Sequence, residues 1–158
     1  MQAVAEGKVG VGVIRTPKRD IFISKLKIKK DGQEISIVYD LPPETTEQKT
    51  VTFSCNEEPK QEFFRAVEML LEDVCVVCGL DLCVWEDEEG KITGIAFKEG
   101  EEESTVIITA QAKINGYPVV VNTPNFVPRG NTEDRINNVI AEIEDYISGK
   151  RSQQSLFE

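Results

Sequence analysis

Three cysteines fall within nine residues, Cys75, Cys78 and Cys83, with Cys55 upstream. The spacing Cys75-Val76-Val77-Cys78 is that of a zinc knuckle, and Cys83 and Cys55 would complete four thiolates. Against zinc, Cys75 and Cys78 extend the apolar stripe of a helical segment, and Cys83 lies in a strand dense with hydrophobes. Free cysteine is among the most buried residue types, so ordinary core is the expected role, with no metal and no cofactor. A redox role lacks the thioredoxin-like pattern that precedes such a motif. The chain has no histidine, which removes serine–histidine and cysteine–histidine catalysis, histidine metal ligation and histidine pH switching. The acidic runs at 86–89 and 99–103 sit at turns between expected strands and do not have calcium-loop spacing. No Asp/Glu pair has a spacing specific to a carboxylate nuclease. A non-enzymatic protein is the expectation.

Two basic or polar features remain. Lys25, Lys27 and Lys29 alternate with Leu26 and Ile28, so in a strand the three ammonium groups share one face at about 7 Å spacing. That approximates the phosphate repeat of an extended single strand of DNA. The competing reading is a solvated outer face whose lysines discourage strand pairing at a sheet edge. The loop 122–129 pairs Phe126 with Arg129 and is a second surface candidate, or a connector with Phe126 packed down. Trp85 and Phe126 are the aromatic side chains that could stack bases beside the lysines.

The chain ends Ser152-Gln153-Gln154-Ser155-Leu156-Phe157-Glu158. A polar exit from a helix presents Leu156 and Phe157 beyond the residues that could bury them. An aliphatic–aromatic pair can anchor in an apolar pocket while a glutamine amide supplies directional hydrogen bonds. Gln153, Ser155, Leu156 and Phe157 resemble the peptide motif that docks on the bacterial sliding clamp, Gln-Leu-(Ser/Asp)-Leu-Phe. Gln154 stands where that motif commonly has leucine. The resemblance implies a clamp-binding tail.

The elements that must position these residues follow from periodicity. Residues 21–39 alternate as two strands around Asp31-Gly32, with Ile28 opposite Ile35 and Leu26 opposite Ile37. Strands are also expected at 8–15, 50–55, 82–85, 92–97, 105–114 and 117–121, the last two joined by Asn115-Gly116. Pro59 suits the first turn of a helix bearing Phe63, Val67, Leu70, Leu71 and Val74 and ending at Gly79. Thr132 suits the N-cap of a second helix bearing Ile136, Val139, Ile140, Ile143 and Ile147. The fold class is therefore α+β with antiparallel sheets in the order ββββ-α-ββββ-α and a flexible C-terminal peptide. One domain is expected over residues 1–148 and the clamp-binding-like tail over 149–158. This element order resembles the Whirly family of single-stranded DNA-binding proteins, in which two four-stranded sheets are each followed by a helix.

Length and composition set the remaining bounds. The 158 residues are 40% hydrophobic, enough for one core. No apolar run reaches membrane length, residues 1–12 show no secretory pattern, and the cysteines do not form a disulfide framework. A soluble, cytoplasmic protein is expected, with no membrane partner. The net charge is −10, yet residues 1–40 hold eight Lys/Arg against five Asp/Glu. Any nucleic-acid contact must use that basic portion.

These features point to a non-enzymatic accessory protein of bacterial or bacteriophage DNA replication or repair, tethered to the sliding clamp and binding single-stranded DNA. The acidity favours the alternative of a protein-binding inhibitor or modulator of a host replication or defence factor. The tail gives the first test. Leu156→Ala with Phe157→Ala should abolish binding to a bacterial clamp in a pull-down while leaving the melting temperature unchanged. A double variant that melts much earlier would instead make these residues a staple of the core.

Overall fold

Where apolar and polar residues alternate, the chain forms strands, and where the apolar period lengthens it forms helices. The structure, a computed structural model, describes residues 21–41, 49–80, 90–114 and 116–149. Its elements are β1 (Phe22–Lys29), β2 (Glu34–Asp40), β3 (Thr50–Cys55), α1 (Gln61–Glu68), α2 (Leu70–Cys78), β4 (Lys91–Glu99), β5 (Ser104–Ile114), β6 (Tyr117–Asn122) and α3 (Asn131–Ile147). The class is α+β, with all six strands in one antiparallel sheet ordered β3-β2-β1-β4-β5-β6. The described residues thus give three strands before each helical segment. The stretches 8–15 and 82–85, where the pattern predicts a fourth strand for each group, lie outside them, as does residues 150–158.

The first hairpin has the register that its alternation requires, Ile28 opposite Ile35 and Leu26 opposite Ile37. Its turn is centred on Asp31-Gly32 but is a 3-10 turn over Lys30–Gly32. The left-handed positions are Lys30 and Gly32, at φ 54° and 93°. A Cβ on Gly32 would stand 3.0 Å from the Phe64 ring, so packing against α1 helps to select this shape over a simple two-residue turn.

Two meanders meet at the middle of the sheet. β1 and β4 pair through three positions, Lys25 with Ala96, Leu26 with Ile95 and Lys27 with Gly94. Leu26 and Ile95 point to the helices and are buried. Ile35, Ile37, Phe97, Val106, Ile108 and Ala110 share that side, and the apolar faces of all three helices close over it in one cluster. Phe63, Val67, Leu70 and Val74 make the stripe of α1 and α2, which breaks at Met69, and Gly79 ends it in the left-handed conformation at φ 71°. Pro59 precedes the Lys60 cap and does not enter the first helical turn.

The start of α3 departs from the sequence expectation. Gly130, not Thr132, is the N-cap. Thr132 sits inside the first turn, where its hydroxyl donates to Asp73 Oδ1 at 2.6 Å, and Arg135 donates to the same oxygen at 2.7 Å. A long-range bond to a buried carboxylate outweighs the local cap, and it fastens α2 to α3. At the other end of α3, Tyr146 donates its hydroxyl to the Glu57 carbonyl and packs against Phe53 and Phe63. Among the described residues no helix is long and apolar enough to cross a membrane.

Glu142, on α3, has a buried Oε1 with no hydrogen-bond partner among the described residues. Burial pushes its carboxyl above the ordinary value of 4.5; Lys60 opposes this, and Asp145 and Glu62 add to it. The folded state thus binds this proton more tightly than the unfolded chain. The resulting stability is fully present below the unfolded value and is lost as pH rises through the folded one. Glu142→Gln should therefore raise the melting temperature at pH 7, and the gain should shrink as pH is lowered toward 4.5. A gain that grows on acidification would contradict this account.

Candidate nucleic-acid interface

A strand sends alternate side chains to opposite faces, so burying Leu26 forces its neighbours outward. Lys25, Lys27 and Lys29 are all exposed and stand on the sheet face away from the helices. None of the three pairs with an acid among the described residues. β1 is a central strand, flanked by β2 and β4. Protection of a sheet edge therefore does not account for the row, because the edge strands among the described residues are β3 and β6.

The register carries further lysines to the same face. Lys91 lies opposite Gln111, Lys98 opposite Thr105 and Lys113 opposite Pro118. On this face the described strands carry six lysines against two acids, Glu34 and Asp40, the third strand acid, Glu99, following Ile95 and Phe97 to the other. Both acids are engaged locally, Glu34 with Lys30 at 3.4 Å and Asp40 by the Thr50 hydroxyl at 2.7 Å. The helices carry the opposite sign, nine Asp/Glu against Arg65 and Arg135. The fold thus sorts charge that the sequence scatters. An acidic protein acquires one basic face, and local potential governs polyanion binding more than net charge does.

Relief on this face follows from side-chain size. Gly94 and Ala96 lie across from Lys27 and Lys25 and contribute almost no side chain. Ile107 and Thr109 rise beyond them on β5, which leaves a groove of about 310 Å³ beside the lysines. A Cβ on Gly94 would lie 3.4 Å from the Leu26 carbonyl oxygen, so alanine would sit in close van der Waals contact at the seam and any longer side chain would begin to fill the groove. Gly94, Ala96 and Ile107 carry no chemistry in isolation, and the sequence reading missed them. Their signal is the non-local pairing of β1 with β4, which local periodicity does not contain.

Other candidates are dispersed. Phe126 packs against the core and bridges Val106 through backbone bonds of 2.9 and 3.1 Å. Arg129 reaches Glu103 at 2.8 and 3.0 Å. The loop 122–129 is thus a tied connector, and Phe126 is not a stacking platform beside the lysines. Trp85, the acidic run 86–89, Cys83 and the tail residues Gln153, Ser155, Leu156 and Phe157 lie outside the described residues. Cys55 is on β3, whereas Cys78 reaches the Asn122 carbonyl of β6, with 3.9 Å between sulfur and oxygen. Those strands are at opposite ends of the sheet, about 24 Å apart at ordinary strand spacing, so the two sulfurs cannot share one metal. Comparison with known proteins finds no match to a family model, to a curated protein or to a solved structure.

The cysteines differ in burial, which gives a test. Cys75 is 1% exposed, while Cys78 is half-buried. Cys75→Ser should cost about 1–3 kcal/mol through a buried hydroxyl. Cys78→Ser should cost less, because its site is only half-buried and water can reach the new hydroxyl. Denaturant unfolding of the two variants checks the order.

Proposed function

We propose that this protein is a non-enzymatic accessory factor of bacterial or bacteriophage DNA replication or repair, which holds single-stranded DNA on the open face of its sheet and is tethered to the sliding clamp by Gln153, Ser155, Leu156 and Phe157. The observation that carries the DNA reading is the position of Lys25, Lys27 and Lys29. They form an unpaired row on a central strand, beside a groove, on the basic face of an acidic protein. Three ammonium groups in line provide sequence-independent attraction for a phosphate backbone. The neighbouring groove leaves space for sugars and bases without steric conflict. The clamp reading rests on the tail's resemblance alone.

A second reading is a protein-binding module that inhibits or redirects a host replication or defence factor. Tyr117 and Val120 favour it, being 72% and 62% exposed on β6, an edge strand among the described residues. Exposed apolar side chains beside an edge suit a protein partner.

Salt dependence separates the readings. Binding of a short single-stranded oligonucleotide should weaken steeply as salt is raised. The triple variant Lys25→Ala, Lys27→Ala, Lys29→Ala should bind less tightly and show a shallower slope, reduced by about two to three units. The absence of binding at low salt would remove the DNA reading and leave the protein-binding one.

A further inference from the structure

The lysine row does not end at a closed sheet. Pairing of β1 with β4 stops at Lys27 and Gly94, and β4 carries a bulge between Ile92 and Gly94. Beyond that point the two strands part, and a cleft of about 570 Å³ opens between them toward α1. Its lining includes apolar groups, Ile28, Phe64, Val67 and Ile92, together with Lys29, Lys30, Lys91, Glu68, Thr93 and Gln111. Ile28, Lys29 and Thr93 also line the groove on the open face, so groove and cleft are continuous.

We infer that this cleft receives one unstacked nucleobase of a strand whose phosphates lie along Lys25, Lys27 and Lys29. The inference rests on the DNA reading and deepens it. The volume falls in the range of small-ligand sites, and the lining joins four apolar side chains to a larger set of polar and charged ones. Lys29 belongs both to the row and to the cleft, so a phosphate held there brings its own base to the opening. Phe64 supplies an aromatic surface that Phe126, packed on the core, does not provide beside the row. It is held by edge-on contact with Phe63, with centroids 5.7 Å apart, and lies close against Gly32. The Gln111 amide and the Glu68 carboxylate provide a donor and acceptors for the polar edge of a base. A bare phosphate would leave the apolar lining unused, and an apolar ligand would leave the lysines unused. A nucleotide uses both.

The test is an NMR titration of the full chain with dAMP, with deoxyribose 5-phosphate as control. Saturable shifts at Phe64, Ile92 and Gln111 are expected with dAMP, whereas the sugar phosphate should perturb the lysines alone. Gln111 is an exposed residue at the cleft, so Gln111→Trp should keep the fold and block the dAMP shifts. A short deoxyadenosine oligonucleotide should bind about tenfold tighter than an abasic strand with the same number of phosphates, and Gln111→Trp should erase that difference. If the two strands bind equally through the lysines and dAMP leaves Phe64 unshifted, the base site is refuted while the lysine reading stands. If neither strand binds, both fail.

Discussion

Three residue pairs hold the two halves of this sheet together. Leu26 against Ile95 is the middle pair, and its burial beneath the helices dictates everything on the opposite side. Because side chains alternate, sealing Leu26 inward sends Lys25 and Lys27 outward, and sealing Ile95 inward does the same for Gly94 and Ala96. A central strand ordinarily gains from apolar or β-branched neighbours on both faces. Here one face holds charge beside near-absent side chains. The apolar side bears the cost of this arrangement, with a continuous cluster running from β2 to β5 beneath three helices.

Charge follows the same division. The helices surround the core with carboxylates on their outer surfaces, and the sheet turns lysines away from them. One buried carboxylate is bound into the frame. Asp73 takes Thr132 and Arg135 and ties α2 to α3 across a long stretch of chain. The pair between Arg135 and Asp73, 2.7 Å apart, is largely removed from water. Breaking one partner there would leave the other stranded, so this contact fixes the helix layer more strongly than the exposed pair of Arg129 and Glu103 fixes its loop.

Local features were legible in the sequence and non-local ones were not. The register of the first hairpin follows from a period of two around Asp31-Gly32, and both helical stripes follow from a longer apolar period. The turn shape did not follow, because Gly32 answers to Phe64, which is distant in sequence. Thr132 was misread for the same reason: its hydroxyl serves Asp73 rather than its own helix. The outward direction of Lys25, Lys27 and Lys29 was readable, whereas their place at the centre of the sheet was not, since that depends on β1 finding β4. Gly94 and Phe64 acquire meaning only when that pairing is made. The former opens the groove, and the latter becomes part of the wall of the cleft where the pairing ends.

The strand order also bears on how the molecule assembles. Among the described strands, every pairing except the seam joins neighbours along the chain, so each meander closes short loops. The seam must bring together segments separated by the first meander's remaining strands and two helices, at a greater entropic cost. Groove and cleft both straddle that junction, and neither half contains them by itself. Cooperative opening of the seam would therefore erase the surface before either meander unravelled. A ligand spanning Lys27 and Gly94 would act as a clasp on the junction, adding its binding free energy to the union of the halves rather than to either one.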